Sequence, residues 1–328
     1  MTAETINPRT PRAVRGLPSL RAGAQYGVLW ATLALFTVLA VTTPGFATTD
    51  NLRNLLDQQA TVLIVAAPLT LAVIAGVFDV SASAVYVLAP LAAIQVQNQT
   101  GSIPLAVLVA LTCGVLCGAV NATFVVLLRV NSFIATLATS YVFFGVGYLV
   151  SDQAILTPGD AAFRDLATKQ ILGVTSATWL AALVVGITWF LLTRSRMGRY
   201  VYATGANPDA ARLSGIRTGG IVAATLVLVG TSAGFAGLVN ASQGMSAQAT
   251  DDFGFVFTVI AAVVVGGTSI AGGSGAVWRT VVGAVFIAMI GNGLNLNQID
   301  PIYQRIILGV VILLAVALDA TARRRLTN

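Results

Sequence analysis

The sequence predicts an all-α membrane protein of about ten transmembrane helices, each needing about 20 apolar residues to cross the hydrocarbon. Three observations predict it. Of the 328 residues, 56% are hydrophobic and only 9% charged, whereas a soluble globular chain carries about 25% charged residues. The mean hydropathy is +0.86. The apolar residues also fall into long runs separated by short polar or glycine-rich turns, which is how a chain reads when most of its surface faces lipid.

Taken in chain order, the predicted spans are 26–43, 60–78, 82–96, 103–128, 132–150, 177–193, 220–241, 253–269, 275–291 and 302–318. The third and ninth are short and flank polar or glycine-rich turns. Either is a candidate for a broken or re-entrant segment, which is tolerated only where protein or a water-filled cavity covers the backbone. The first apolar run exceeds the usual core of a signal peptide and further spans follow it, so it reads as a retained helix.

Basic residues in short loops stay on the cytoplasmic side, and an N-terminus inside places most of the 18 there. Arg9, Arg12, Arg15, Arg21, Arg129, Arg194, Arg196, Arg199, Arg212, Arg217, Arg323, Arg324 and Arg325 then face in, and Arg53, Arg164, Lys169 and Arg305 face out. Two basic termini on one side require an even number of spans. The expected organisation is a disordered cytoplasmic tail over 1–24, one transmembrane domain over 25–320 with a cytoplasmic loop at 194–219, and a basic cytoplasmic tail at 321–328. The expected location is a bacterial inner membrane.

Catalytic chemistry is scarce. There is no histidine, so the usual proton shuttle and commonest metal ligand are missing, and no metal site or catalytic residue is expected. Lys169 is the sole lysine and stands between Thr168 and Gln170, which rules out a GxxxxGK[ST] phosphate loop. Any ATP-driven step therefore needs another chain. Cys113 and Cys117 lie one turn apart in an apolar run and read as small packing residues. Gly114 with Gly118, and Gly230 with Gly234, have the four-residue spacing that lets helix backbones approach closely in lipid. Pro68 and Pro90 fall inside predicted spans, where a missing amide bends the helix, as a structural kink or as a bend lining a cavity.

The most informative stretch is Asn207, Pro208, Asp209, Ala210, Ala211, Arg212, Leu213, Ser214 and Gly215. It spells a short helix with both ends marked: Asn207 as cap, Pro208 at the first position, Asp209 at the positive dipole end and Gly215 as the left-handed stop. Two turns are marginal alone. Such a stub either lies on the membrane surface as a connector or fits a socket on a partner protein.

Four ordered blocks carry a resemblance: GRYVYATGANPDAARLSGI from Gly198, VVVGGTSIAGGSGAV from Val263, RVNSFIATLAT from Arg129, and the closing GNGLNLNQIDPIYQRIILGVVILLAVALD. Together they resemble the permeases of ribose-type ABC sugar importers, over nearly the whole chain beyond residue 45. The resemblance implies the type II architecture shared with vitamin B12 importers. It further implies pairing with a second permease, identical or sister, around a central path. A cytoplasmic ATPase holding ATP and Mg would grip a coupling helix, and a periplasmic or lipid-anchored binding protein would deliver a monosaccharide. Besides these protein partners only membrane lipid is expected; no nucleic acid is, and this chain would hold no cofactor. By that resemblance Arg199, Asn207, Pro208, Asp209, Ala210, Ala211, Arg212, Leu213 and Gly215 form the ATPase-coupling face, and Gly266, Gly267, Gly272, Gly273 and Gly275 form the family's glycine-rich turn.

The chain departs from the family in places. Where the family often shows GGIDLSVGS, this chain has Gly76, Val77, Phe78, Asp79, Val80, Ser81, Ala82, Ser83 and Ala84. A positive φ at Val77 would be costly, and a close approach at Ser83 would loosen. Arg279 replaces a usual glycine and is expected near the inner end of its span, turned toward protein or water, since a charge at the bilayer centre costs about 2.5–3.5 kcal/mol. Asp79 reads as a helix cap before Ser81 or as a ligand contact. With Ser81, Asn121, Asn240, Asn292 and Asn295 it is a candidate for the translocation path; Gln298 lies just beyond. Each can bond a neighbouring helix or a sugar hydroxyl. An ion-coupled transporter or channel for a small neutral polar solute is the alternative, and it needs buried ionisable groups that the predicted spans barely provide.

Overall fold

The structure, a computed structural model, describes residues 26–300 and a discontinuous set between 302 and 317. The tails predicted at 1–24 and 321–328 lie outside the described residues. The helices are α1 (Gly27–Thr42), α2 (Thr49–Ile74), α3 (Ala82–Thr100), α4 (Ile103–Ala122), α5 (Ser132–Ser151), α6 (Ser176–Arg194), α7 (Arg196–Ala206), α8 (Pro208–Leu213), α9 (Thr218–Gly244), α10 (Gly254–Val265) and α11 (Val277–Leu296). A π-helical turn, Thr123–Leu127, extends α4. A small antiparallel hairpin, β1 (Gln170–Ile171) with β2 (Val174–Thr175), precedes α6.

Six helices among the described residues are long and apolar enough to cross a membrane: α2, α4 with its π turn, α5, α6, α9 and α11. Shorter apolar helices stand at Gly27–Thr42, Gly254–Val265 and Ile302–Val311. The expected weak spots are placed differently. The third and ninth predicted spans are uninterrupted helices, α3 with 19 residues and α11 with 20. The eighth is the short one: α10 has 12 residues and rises about 18 Å, roughly half of the hydrocarbon thickness. Protein covers its start, where the Val256 amide donates to Ser83 Oγ at 2.9 Å.

Helix α2 is the centre of the bundle. From Ala60 to Ile74 every residue except Leu63 is buried, as expected of a helix that is apolar all round and enclosed by other helices. Outer helices show lipid-facing side chains instead, among them Leu149, Leu183 and Val41, which are 82%, 59% and 81% exposed. Short polar residues start most segments: Thr48 Oγ1 accepts from Asn51 N–H, Ser102 Oγ from Leu105 N–H, and Asn131 Oδ1 from Phe133 and Ile134 N–H. Pro68 and Pro90 are both buried inside their helices. Cys117 is buried, Cys113 half-buried, and both are free thiols.

The two small-residue pairs meet each other. A Cβ added at Gly114 would lie 2.8 Å from Thr231 Cα, one at Gly118 would lie 2.6 Å from Val227 Cα, and one at Gly234 would lie 2.6 Å from the Ala110 carbonyl. Helices α4 and α9 are thus in backbone contact, which supplies packing where lipid offers no hydrophobic drive for association. Overpacking of this kind costs about 1–3 kcal/mol. Gly114→Leu and Gly230→Leu should each lower the thermal midpoint in detergent, whereas Gly145→Leu, with open space around its Cβ, should leave it unchanged. Equal midpoints for all three would remove this crossing from the fold's essential contacts.

Candidate coupling face and translocation path

Helix α8 is built as its sequence dictates. Asn207 Oδ1 accepts from the amides of Asp209 and Ala210 at 3.1 and 3.0 Å, Pro208 takes the first position, and Gly215 has φ +82°. Arg212 Nη1 lies 3.5 Å from Asp209 Oδ1, and its Nε donates to Thr218 Oγ1 at 3.1 Å. Ala211 faces the protein, whereas Ala210 is exposed and Leu213 is 91% exposed. A two-turn helix with a bare leucine at its tip is a plug without a socket.

What holds this stub is a second, amphipathic helix. Ser195 Oγ caps α7 by accepting from Gly198 N–H at 3.3 Å, and α7 runs to Ala206, with Arg199 exposed on it. The C-terminal turn of α7 lies on the glycine-rich turn. The Gly273 amide donates to the Ile74 carbonyl at 2.8 Å, and a Cβ at Gly273 would be 2.9 Å from Ala206 Cα. A Cβ at Gly205 would fall on the Ile74 carbonyl itself and lie 2.7 Å from Gly273 N. Gly267, Gly272 and Gly273 have φ of +78°, +82° and +72°, the left-handed region that glycine alone enters cheaply. Gly266 and Gly275 are glycines for space: a Cβ would be 2.5 Å from the Arg279 carbonyl or 2.7 Å from Ile74 Cγ1. Tyr202 donates to the Gly275 carbonyl at 2.8 Å. Burial pushes its phenol above the ordinary value while nearby Arg279 pulls it down, so the proton of this bond is retained.

Arg279 occupies the first turn of α11, at the stub end of the bundle, with Nη1 3.6 Å from a Cβ position at Gly267. It is half-buried among these loops, as its charge requires. The departures at Val77 and Ser83 carry neither expected penalty. The positive φ falls on Gly76, at +87°, and Val77 is not strained. The Ser83 hydroxyl fills its space and accepts from the Val256 amide.

The polar candidates divide into two groups. Asp79 Oδ1 accepts from Ser81 N–H at 2.9 Å and from Ser81 Oγ at 2.6 Å, Asn121 Nδ2 donates to Ser81 Oγ at 2.6 Å, and Thr139 Oγ1 donates to Asn121 Oδ1 at 2.6 Å. All four side chains are buried. The cluster fastens α3, α4 and α5 around the turn after α2, which Ser132 and Thr136 also bind through the amides of Phe78 and Val80. Asn240 lies apart, exposed on α9.

The second group lies at the far end of α11. Asn292 and Asn51 exchange two amide bonds of 2.9 Å. Beside them, Asn292 and Asn295 line a cavity of about 360 Å³ with Gln58, Gln59 and Gln304. Among the described residues no charged side chain lines it, and Gln59 Oε1 is buried without a partner. Neutral carboxamides with a spare acceptor at Gln59 suit the hydroxyls of a neutral polyol. Gln58 and Gln59 escape a reading by hydropathy because the apolar run starts at Ala60. The missed signal is Thr48 before Asp50, a cap followed by a first-turn acid, which starts α2 eleven residues earlier, at Thr49.

Residues 51–316 match the family described as branched-chain amino acid transport system / permease component. The chain belongs to this permease family. It is 36% identical to the ribose import permease protein of Escherichia coli (strain K12) over 89% of this chain and 92% of the relative. The L-arabinose transport system permease protein of the same organism is 33% identical, over 90% of each chain. The D-allose transport system permease protein is 30% identical, over 90% of this chain and 91% of the relative. No solved structure matches the chain at a significant level. This permease is therefore a multi-pass membrane protein and a transport component; the family description is broad, and these three relatives are named for sugars.

Losing the Asn207 cap should cost about 1 kcal/mol. Asn207→Ala is expected to speed amide hydrogen exchange at Asp209 and Ala210 about fivefold, with no change in α9. Unchanged exchange would mean that contacts with α7, and not the cap, hold the stub.

Proposed function

We propose that this permease is the transmembrane subunit of an ATP-driven importer for a monosaccharide of the pentose or hexose class. Its α8 serves as the coupling helix for a separate cytoplasmic ATPase, which holds the ATP and Mg. The observation that carries this reading is α8 itself: capped at both ends, joined to α7, whose last turn sits on the glycine-rich turn, with Leu213 bare. A permease without a phosphate loop needs such a handle. The sugar relatives and the uncharged carboxamide cavity favour a neutral polyol as cargo. The stub end is assigned to the cytoplasm of a bacterial inner membrane, together with both termini. A second permease, the same or a sister chain, completes the path, and a binding protein supplies the opposite end.

Transport follows as a shift between inward- and outward-facing packings. Closing the ATPase pair draws two stubs together, and because α8 is continuous with α7, that displacement reaches the joint formed by Ile74, Gly205 and Gly273. Turning a 1:99 population into 99:1 takes about 5.5 kcal/mol of differential binding. A stub that melted under load would dissipate that energy, hence the cap, the proline and the ion pair.

Burying one leucine contributes about 1.5–3 kcal/mol. Leu213→Asp should therefore weaken ATPase copurification roughly 10- to 100-fold and abolish uptake in proteoliposomes holding permease, ATPase and binding protein. Gln59→Leu should leave the ATPase bound and lower sugar uptake about tenfold, a loss near 1.4 kcal/mol. Uptake without any ATPase, or ATP hydrolysis without accumulated sugar, would overturn the importer reading.

A further inference from the structure

Between the stub and the bundle lies a cavity of about 680 Å³ with a composition unlike the rest of the protein. Arg129, Arg212 and Arg217 line it, and among the described residues no acidic one does. Arg212 is engaged by Asp209 and Thr218, whereas Arg129 and Arg217 make no ion pair among the described residues. The 27-residue helix α9 begins at this wall without a side-chain cap, and Gly219 of its first turn is part of the lining. An uncapped helix start presents free amides and partial positive charge.

An independent observation comes from α7. Thr204 lines the same cavity, is 2% exposed, and its Oγ1 has no hydrogen-bond partner among the described residues. A helical threonine ordinarily satisfies its hydroxyl on the carbonyl one turn back, as Thr188 and Thr193 do; a buried orphan donor costs about 1–3 kcal/mol. The opposite wall is also built in an unusual way. The π turn ends with Leu128 N–H bonded to the Thr123 carbonyl and Val130 N–H to the Phe124 carbonyl, both at 3.1 Å. This leaves Arg129 at φ +56°, an uncommon conformation for a long side chain. The turn sets a guanidinium at the mouth of the cavity.

We propose that this cavity is a binding site for a phosphate group. Three guanidiniums and a helix start exceed what one carboxylate needs, and planar guanidinium forks match phosphate oxygens in pairs. The volume also exceeds a single side chain. Valines 125, 126 and 222 form an apolar inner wall, and just outside stand Leu127 and Leu128, 73% and 61% exposed. Basic pockets between transmembrane helices at the cytoplasmic boundary take up anionic headgroups. A lipid headgroup and a free phosphate share this chemistry. Because Pro208 and Arg212 belong to both the wall and α8, an occupant braces the stub against the bundle. That effect on coupling rests on reading α8 as the ATPase handle; the binding does not.

The test uses the full chain in nanodiscs of phosphatidylcholine, with hydrogen exchange read at the amides of 209–213 and 219–220. One arm adds phosphatidylglycerol to the bilayer, a second adds inorganic phosphate, and a third adds glutamate. Either phosphate source should slow exchange at least threefold. Protection by the lipid alone identifies the headgroup; protection by both identifies a site open to free phosphate. The double variant Arg129→Gln/Arg217→Gln should lose the effect, whereas Arg194→Gln/Arg196→Gln, outside the lining, should keep it. Thr204→Val should raise the thermal midpoint of the empty protein, by removing the orphan donor, and raise about fivefold the inorganic phosphate concentration at which protection is half-complete. No protection in either phosphate arm, equal protection by glutamate, or equal loss in both double variants would overturn the site. Failure of ATPase coupling with protection intact would count against the coupling reading and leave the site standing.

Discussion

The carbonyl of Ile74 ends the most buried helix of the bundle, and two other segments converge on it: the Gly273 amide as donor, and the Gly205 Cα in direct contact. No side chain intervenes at this joint. Within a bilayer a loose carbonyl finds no water, so irregular backbone has to be closed by other backbone or buried in protein. Three glycines with left-handed φ shape the turn that closes it. A methyl group on Gly205 would displace the donor and part α7 from α2. From this joint follow the seating of α7, the position of α8 that continues from it, and the short α10, whose end feeds the same turn. A packed interior is bistable and not continuously deformable, so a backbone-only joint passes displacement on where flexible side chains would absorb it.

Legibility in the sequence tracks how local the determining physics is. Both ends of α8 were readable, because a cap, a proline, a first-turn acid and a glycine stop act within nine residues; the Asp209–Arg212 pair was not read. The paired glycines of α4 and α9 announced close packing, yet nothing in either run named the other as partner; that assignment is tertiary. Helix α7 was hidden in a loop since it lies along the bundle, where an amphipathic pattern replaces the apolar run that marks a span. The brevity of α10 was equally hidden: Phe253 to Ser269 carries no charge and is mostly apolar, and hydropathy measures composition without showing where a turn over Gly266 and Gly267 ends the helix. Charge, in contrast, was legible at a distance. Arg279 interrupts an apolar run, and the cost of an unsolvated charge alone located it at a helix end.

The same physics separates polar residues that build the protein from those that remain open. Asp79, Ser81, Asn121 and Thr139 satisfy one another and tie three helices to one turn, and their four buried side chains leave little capacity for a ligand. Asn292 spends its amide on Asn51. Among the described residues Gln59 keeps a buried oxygen unpaired, and the polar side chains that share its cavity are neutral carboxamides. A charged site would attract counter-ions and hold them; an uncharged one with a spare acceptor binds a polyol weakly, through bonds that exchange readily with water. Weak neutral binding is what a conduit requires, because a solute held tightly in one packing has to be released in the other.

Charge is therefore exported to the ends of the bundle, and its distribution there is uneven. Acidic residues such as Asp57 are tied down at the end away from α8, where Asp57 Oδ1 accepts from Thr175 Oγ1 at 2.6 Å and from Gln243 Nε2 at 3.1 Å. Arginines at the stub end are left with few partners, and Arg212 is held by an exposed pair that contributes at most about 1 kcal/mol. An excess of unpaired guanidinium destabilises a compact surface by self-repulsion unless something anionic stands among them. Two neighbours can supply it: the anionic leaflet, in permanent contact, and an ATPase, which arrives only on assembly. On the proposed reading, a phosphate group at this wall would brace the stub before an ATPase docks, so that α8 would meet its socket already ordered and the entropy of ordering it would not be charged against the docking step.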